Sequence, residues 1–121
     1  INGHLKNITD NTIDKFSTYA ITQKNKISYL SNQEKYKLKL ISNDKLILER
    51  ENNEIINTIF FEKSKTIPST YVVKAQDISL EIDITTLEII VTEMSIKVVY
   101  LVNDSENKYE YYLARSDNNE Y

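Results

Sequence analysis

Apolar and polar residues exchange places at every step through Tyr36-Lys37-Leu38-Lys39-Leu40, through Ile78-Ser79-Leu80-Glu81-Ile82-Asp83-Ile84 and again at Tyr109-Glu110-Tyr111. A strand turns successive side chains to opposite faces, so each of these segments writes one dry face and one wet face. Extended along the chain, the pattern predicts strands over 3–8, 13–22, 26–31, 36–41, 45–50, 55–62, 69–75, 77–84, 87–92, 95–102 and 108–114. No window keeps the i, i+3, i+4, i+7 period of a helix while avoiding β-branched residues. A short helical turn near Asn32 to Lys35 is the one helical expectation.

Ile55-Ile56-Asn57-Thr58-Ile59-Phe60-Phe61 and Ile96-Lys97-Val98-Val99-Tyr100-Leu101-Val102 lose the alternation and are apolar on both faces. Such strands call for cover on each side, from a second sheet, from barrel closure or from a partner. Asn and Asp supply the turns: Asn43-Asp44, and Asn52-Asn53 within Glu51-Asn52-Asn53-Glu54, are expected to adopt positive φ and close two-residue hairpins. Many short strands also leave raw edges, which closure removes most fully. The predicted fold is therefore all-β, an antiparallel meander closed into a barrel of about 8–10 strands.

The 121 residues are one domain's worth, expected as a β-barrel over 1–115 with a flexible C-terminal tail at 116–121. Seventeen Ile and nine Tyr against one Gly and one Pro belong to a folded, strand-rich chain. A net charge of -3 with both signs interspersed gives no general attraction to phosphate polymers or anionic lipid, so neither nucleic acid nor a membrane is an expected partner. With no cysteine there is no disulfide, thiolate metal site or thiol nucleophile. Apolar runs fall far short of the ~20 residues of a membrane-spanning helix, and no basic-then-apolar leader opens the chain, so the expected location is the cytoplasm.

One further pattern combines several segments. Lys26-Ile27-Ser28-Tyr29-Leu30 is followed by Leu46-Ile47-Leu48-Glu49-Arg50, then Phe60-Phe61, then Ser69-Thr70-Tyr71, then strict alternation from Ile78 to Ile84. In that order the segments resemble the YwiB-like family of small bacterial proteins. The resemblance implies a lipocalin-like (calycin) antiparallel β-barrel over nearly the whole chain, with no assigned activity. Family members usually carry Gly after the Arg turn and again before the alternating strand; here Asn52-Asn53 and Gln76 stand near those places.

Arg50 is the discordant residue, because parity puts it on the face of Leu46 and Leu48. A guanidinium aimed into a barrel needs a carboxylate, a carbonyl or a ligand anion. Glu62 or a Tyr hydroxyl would serve internally; otherwise Arg50 is a hook for an acidic head group. Tyr36, Tyr71, Tyr100, Tyr109 and Tyr111 fall in phase with Ile, Leu or Val, with Phe60 or Phe61 nearby. Aromatics with polar tips line ligand cavities, and they fill a dry barrel equally well. Other features carry less. His4 is the only histidine and sits near a terminus, which leaves no support for triad chemistry. Asp77, Glu81 and Asp83 share a face with Ser79 and read as a solvated row, as do Lys35, Lys37 and Lys39. A single Gly rules out Gly-rich phosphate loops.

The expected function is a non-enzymatic binding barrel for a small apolar or amphipathic ligand, with Arg50, Tyr36, Phe60, Tyr71, Tyr100 and Tyr111 as ligand-binding candidates. No cofactor, metal or catalytic residue is expected. The alternative is a protein–protein interaction module with a solid interior, for which a homodimer is one form.

Overall fold

A computed structural model describes residues 1–103 and 106–115. Eleven strands run in chain order: β1 (Asn2–Asn7), β2 (Thr12–Ser17), β3 (Ala20–Gln23), β4 (Lys26–Ser31), β5 (Glu34–Ser42), β6 (Lys45–Glu51), β7 (Ile55–Glu62), β8 (Thr66–Val73), β9 (Ile78–Val91), β10 (Ser95–Val102) and β11 (Lys108–Ala114). Among the described residues the only helix is one 3-10 turn at Lys74–Gln76. The strands form one antiparallel sheet in the order β2-β1-β11-β10-β9-β8-β7-β6-β5-β4-β3. It is a meander joined end to end by the pairing of β1 with β11.

The sheet curls into a half-barrel and brings distant strands face to face. Phe16 of β2 stacks on Tyr29 of β4 with ring centroids 5.3 Å apart, and the Thr18 hydroxyl donates to the Leu30 carbonyl at 2.9 Å. No backbone ladder joins β2 to β3, so the expected hydrogen-bonded closure is absent among the described residues. Strand number also exceeds the expected 8–10. The expected tail at 116–121 lies outside the described residues.

Local departures have local causes. The expected strand 13–22 breaks at Thr18-Tyr19, where the chain leaves one end of the sheet for the other. The expected 77–84 and 87–92 merge into β9, because Leu87 is accommodated as a bulge: Val99 faces Glu88 while Tyr100 faces Thr86. Positive φ falls at Asn11, Asn25, Asn32, Gln33, Ser64, Asp77 and Asn103, and not at Asn43-Asp44 or Asn52-Asn53. Asn52 instead holds its turn with its side chain, Oδ1 accepting from the Glu54 and Ile55 amides at 2.8 and 2.9 Å. The expected helical turn near Asn32 is a tight hairpin with both central residues left-handed. Left-handed backbone beside Gln76 falls on Asp77, φ 51°.

Pro68 sits inside the sheet, in β8. It has no N–H to give, and the β7–β8 ladder stops at Thr58 opposite Thr70. Beyond that point the Ser69 hydroxyl, 1% exposed, accepts the Phe60 amide at 2.9 Å in place of a ladder bond. Gly3 marks another tight spot, since a Cβ there would lie 2.6 Å from the Tyr112 carbonyl oxygen and against the Phe16 ring.

Inward residues pack into one core that includes Leu38, Leu46, Phe61, Ile89, Ile96, Val98 and Leu113. Among the described residues no second sheet lies over the outer face. Phe60 and Val99, on that face, are half-buried by same-sheet neighbours, as where Phe60 lies opposite Ile47.

Candidate functional site

Ladder register assembles the site before any side chain is considered. Tyr29 lies opposite Tyr36, Tyr36 opposite Arg50, Arg50 opposite Asn57, and Asn57 opposite Tyr71. This row crosses β4 to β8 at one level. Below it, towards the core, lies the apolar row of Ile27, Leu38, Leu48 and Ile59. Inside the curl at this end is a cavity of about 510 Å³. Its wall includes Phe16, Tyr29, Tyr36, Tyr100, Tyr111, Arg50 and Asn57, and its apolar floor includes Leu48, Ile59 and Ile84.

Aromatic rings stand in register on the wall. Phe16, Tyr29 and Tyr36 form a stack of three, Tyr29 and Tyr36 being 4.8 Å apart and nearly parallel at 6°. Tyr29 and Tyr111 meet hydroxyl to hydroxyl at 2.6 Å across the interior. Tyr100 packs against Phe61 and Tyr109 at 5.0 and 5.7 Å. Burial pushes the Tyr29, Tyr100 and Tyr111 hydroxyls well above the ordinary tyrosine range. Tyr36 is raised too, first by burial and then by the Glu34 carboxylate, with Arg50 opposing. The wall thus presents neutral hydroxyls that donate or accept.

Four charged side chains line the cavity, Asp14, Lys15, Glu34 and Arg50, and the last two stand together. Arg50 Nε lies 3.6 Å from Glu34 Oε2. Glu34 is held by others: Tyr36 donates to its Oε1 at 3.2 Å, and Asn52 Nδ2 to its Oε2 at 3.1 Å. Arg50 Nε is itself buried and makes no hydrogen bond. Of the internal partners expected for Arg50, a Tyr hydroxyl is met, since the guanidinium also interacts with Tyr36, whereas Glu62 faces elsewhere and pairs with Lys65 at 2.5 Å and Lys45 at 3.5 Å. Its carboxyl is held below the usual range by the Lys65 hydrogen bond.

Four of the six candidates therefore meet: Arg50, Tyr36, Tyr100 and Tyr111 all line the cavity. Phe60 does not, because parity turns it to the outer face while its neighbours Ile59 and Phe61 point in. Tyr71 shares the row of Arg50 but lies outside the lining. Sequence reasoning passed over Tyr29, Glu34, Asn57, Asp14 and Phe16, which the cavity gathers. Glu34 was within reach: it is in phase with Tyr36, Leu38 and Leu40, the same argument that singled out Arg50.

The other residues singled out from the sequence lie outside the cavity. His4 Nε2 contacts Glu110 at 2.6 Å and the ring stacks on Tyr112 on the outer face. Glu81 and Asp83 are exposed, as are Lys35, Lys37 and Lys39. Among the described residues no three His, Asp or Glu side chains are grouped as metal ligands, and no helix is long and apolar enough to cross a membrane.

With this geometry in place, likeness to known proteins concerns fold. The crystal structure of the ywiB protein from Bacillus subtilis superposes with a TM-score of 0.62 over 95% of this chain and 88% of that one. The two share a fold. Identity between them is 14%, so the likeness extends to the course of the backbone and no further. No family of known proteins matches the sequence, and no curated protein matches it.

Proposed function

We propose that this chain is a non-enzymatic, lipocalin-like binding barrel that holds a small apolar or amphipathic molecule between tyrosine walls, with Arg50 as the polar anchor. The observation that carries the proposal is the cavity of about 510 Å³, whose wall joins Tyr29, Tyr36, Tyr100 and Tyr111 to an Arg50 donor left unmet. Ligand pockets typically span about 300–1,000 Å³, with apolar walls and few polar groups. Closure of the barrel in this reading is by side chains, the Phe16–Tyr29 stack spanning the seam that no ladder crosses.

Native mass spectrometry of the protein as purified tests the proposal, backed by thermal shift with aliphatic probes. A bound small molecule, or a probe-induced rise in Tm, that is lost in Arg50→Ala supports it. A bare mass together with no shift from any probe overturns it.

A second reading, an interaction module, draws on a different observation: Tyr19, Ile21 and Leu30 are 94%, 69% and 57% exposed beside the free edge of β3. A stable dimer that Tyr19→Ser and Ile21→Ser dissolve, in a protein that binds no probe, favours this reading. The cavity weighs against the solid interior it assumes.

A further inference from the structure

The chemistry of the head group follows from what already surrounds Arg50. Glu34 stands 3.6 Å from Arg50 Nε and is fixed there by the Tyr36 hydroxyl and the Asn52 amide. The guanidinium charge is thus answered by a resident carboxylate. The Nε–H bond is not answered, because that atom is buried without an acceptor. A second carboxylate also lines the cavity, from Asp14, and the other lining cation is Lys15. Two acids and two bases leave the lining balanced, so an entering anion finds no excess positive charge.

The tyrosines add donors of the same kind. Tyr29 and Tyr111 bring two hydroxyl protons to one hydrogen bond, which leaves one O–H over at the cavity wall. The site therefore offers unmet donors in a neutral setting. A carboxylate seated on Arg50 would stand beside Glu34 and be repelled; a carbonyl oxygen takes the same donors with no such repulsion.

We infer that the cavity selects an uncharged amphipath whose head bears a carbonyl acceptor, such as an ester or amide, over the corresponding free acid, and that Glu34 is the residue that sets this preference. The inference rests on the binding-barrel reading above and specifies its ligand class. It replaces the acidic head group that was one of the two sequence readings of Arg50, since an acid is already in place.

The test compares decanoic acid, decanamide and methyl decanoate by calorimetric titration at a pH where the acid is ionised. The wild type is expected to bind the amide and the ester more tightly than the acid. Glu34→Gln keeps the shape, its amide oxygen accepting from Asn52 and its amide nitrogen donating to the Tyr36 hydroxyl in a reversed bond, and frees the Arg50 charge. It is expected to shift the preference towards the acid by about tenfold or more, the worth of one charge-assisted hydrogen bond. Glu34→Asn, read in the same way, decides the matter if the Gln variant folds poorly. A wild type that prefers the acid, or a Glu34 variant with unchanged preference, overturns the inference while leaving the barrel as a binder. Failure of all three probes to bind overturns the inference and the binding reading together.

Discussion

Tyr29 and Tyr111 are 82 positions apart in the chain, yet their hydroxyls meet at 2.6 Å inside the curl, tying β4 to β11 across the interior. Both side chains are buried, so loss of one hydroxyl leaves the other without its partner. Tyr111→Phe and Tyr29→Phe are each expected to cost about 1–3 kcal/mol. The double variant is expected to cost less than the sum, because removing both polar groups removes the unmet one as well. Urea unfolding of the three variants checks this, and strict additivity would contradict it.

Alkaline pH acts on the same residues. Burial raises Tyr29, Tyr100 and Tyr111 above the ordinary value of 10.0, and Tyr36 is raised as well. In that range the unfolded chain releases protons that the folded chain retains, so stability falls as pH rises. The contribution is complete below 10.0 and is lost progressively above it, towards the raised folded values. Melting temperature is expected to fall steeply in that window, with the buried share of the tyrosinate absorbance arriving together with unfolding. Smooth titration of all tyrosines in a folded protein would count against the burial described.

At the β4–β5 hairpin, Gln33 holds φ at 66° beside Asn32 at 50°. Left-handed backbone costs a non-Gly residue about 1–2 kcal/mol, and Asn tolerates it better than Gln. Gln33→Gly is therefore expected to raise stability, despite the entropy that glycine adds to the unfolded chain. Chemical denaturation that shows a lower midpoint would refute the assignment of strain to this turn.

Thr86 is fully buried, and its hydroxyl has no hydrogen-bond partner. Its backbone is well satisfied, donating to the Lys65 carbonyl and accepting from the Ser64 amide. Thr86→Val keeps the shape and the β-branch while removing the unmet group, and is expected to stabilise by about 1 kcal/mol or more. Thr86→Ser, which keeps the hydroxyl and loses the methyl, is expected to destabilise. Thermal melts of the pair separate the two effects.

Alternation by itself determined that this chain makes antiparallel strands, and parity within them put Arg50, Tyr36, Tyr100 and Tyr111 on the inward face. Those are properties of a period of two, and they need no knowledge of what lies opposite. Phe60 shows the limit: two adjacent aromatics cannot both point in, and parity with Leu46-type neighbours across the sheet, known only from register, chose Phe61. Turn chemistry was half legible. Asn was rightly read as a turn residue, but whether it bends through φ, as at Asn32, or through its side chain, as at Asn52, depends on the length of the loop that the strands leave. Tertiary structure alone decided three things: that β1 pairs with β11, that the curl stops short of a closed ladder, and that Glu34 rather than Glu62 stands beside Arg50. The first two depend on residues brought together from distant points of the chain by the twist and curl of the whole sheet, and a local pattern carries no record of that sum; the third depends on the register of the β5–β6 hairpin, which sets Tyr36 opposite Arg50 and Glu34 one step along the same face.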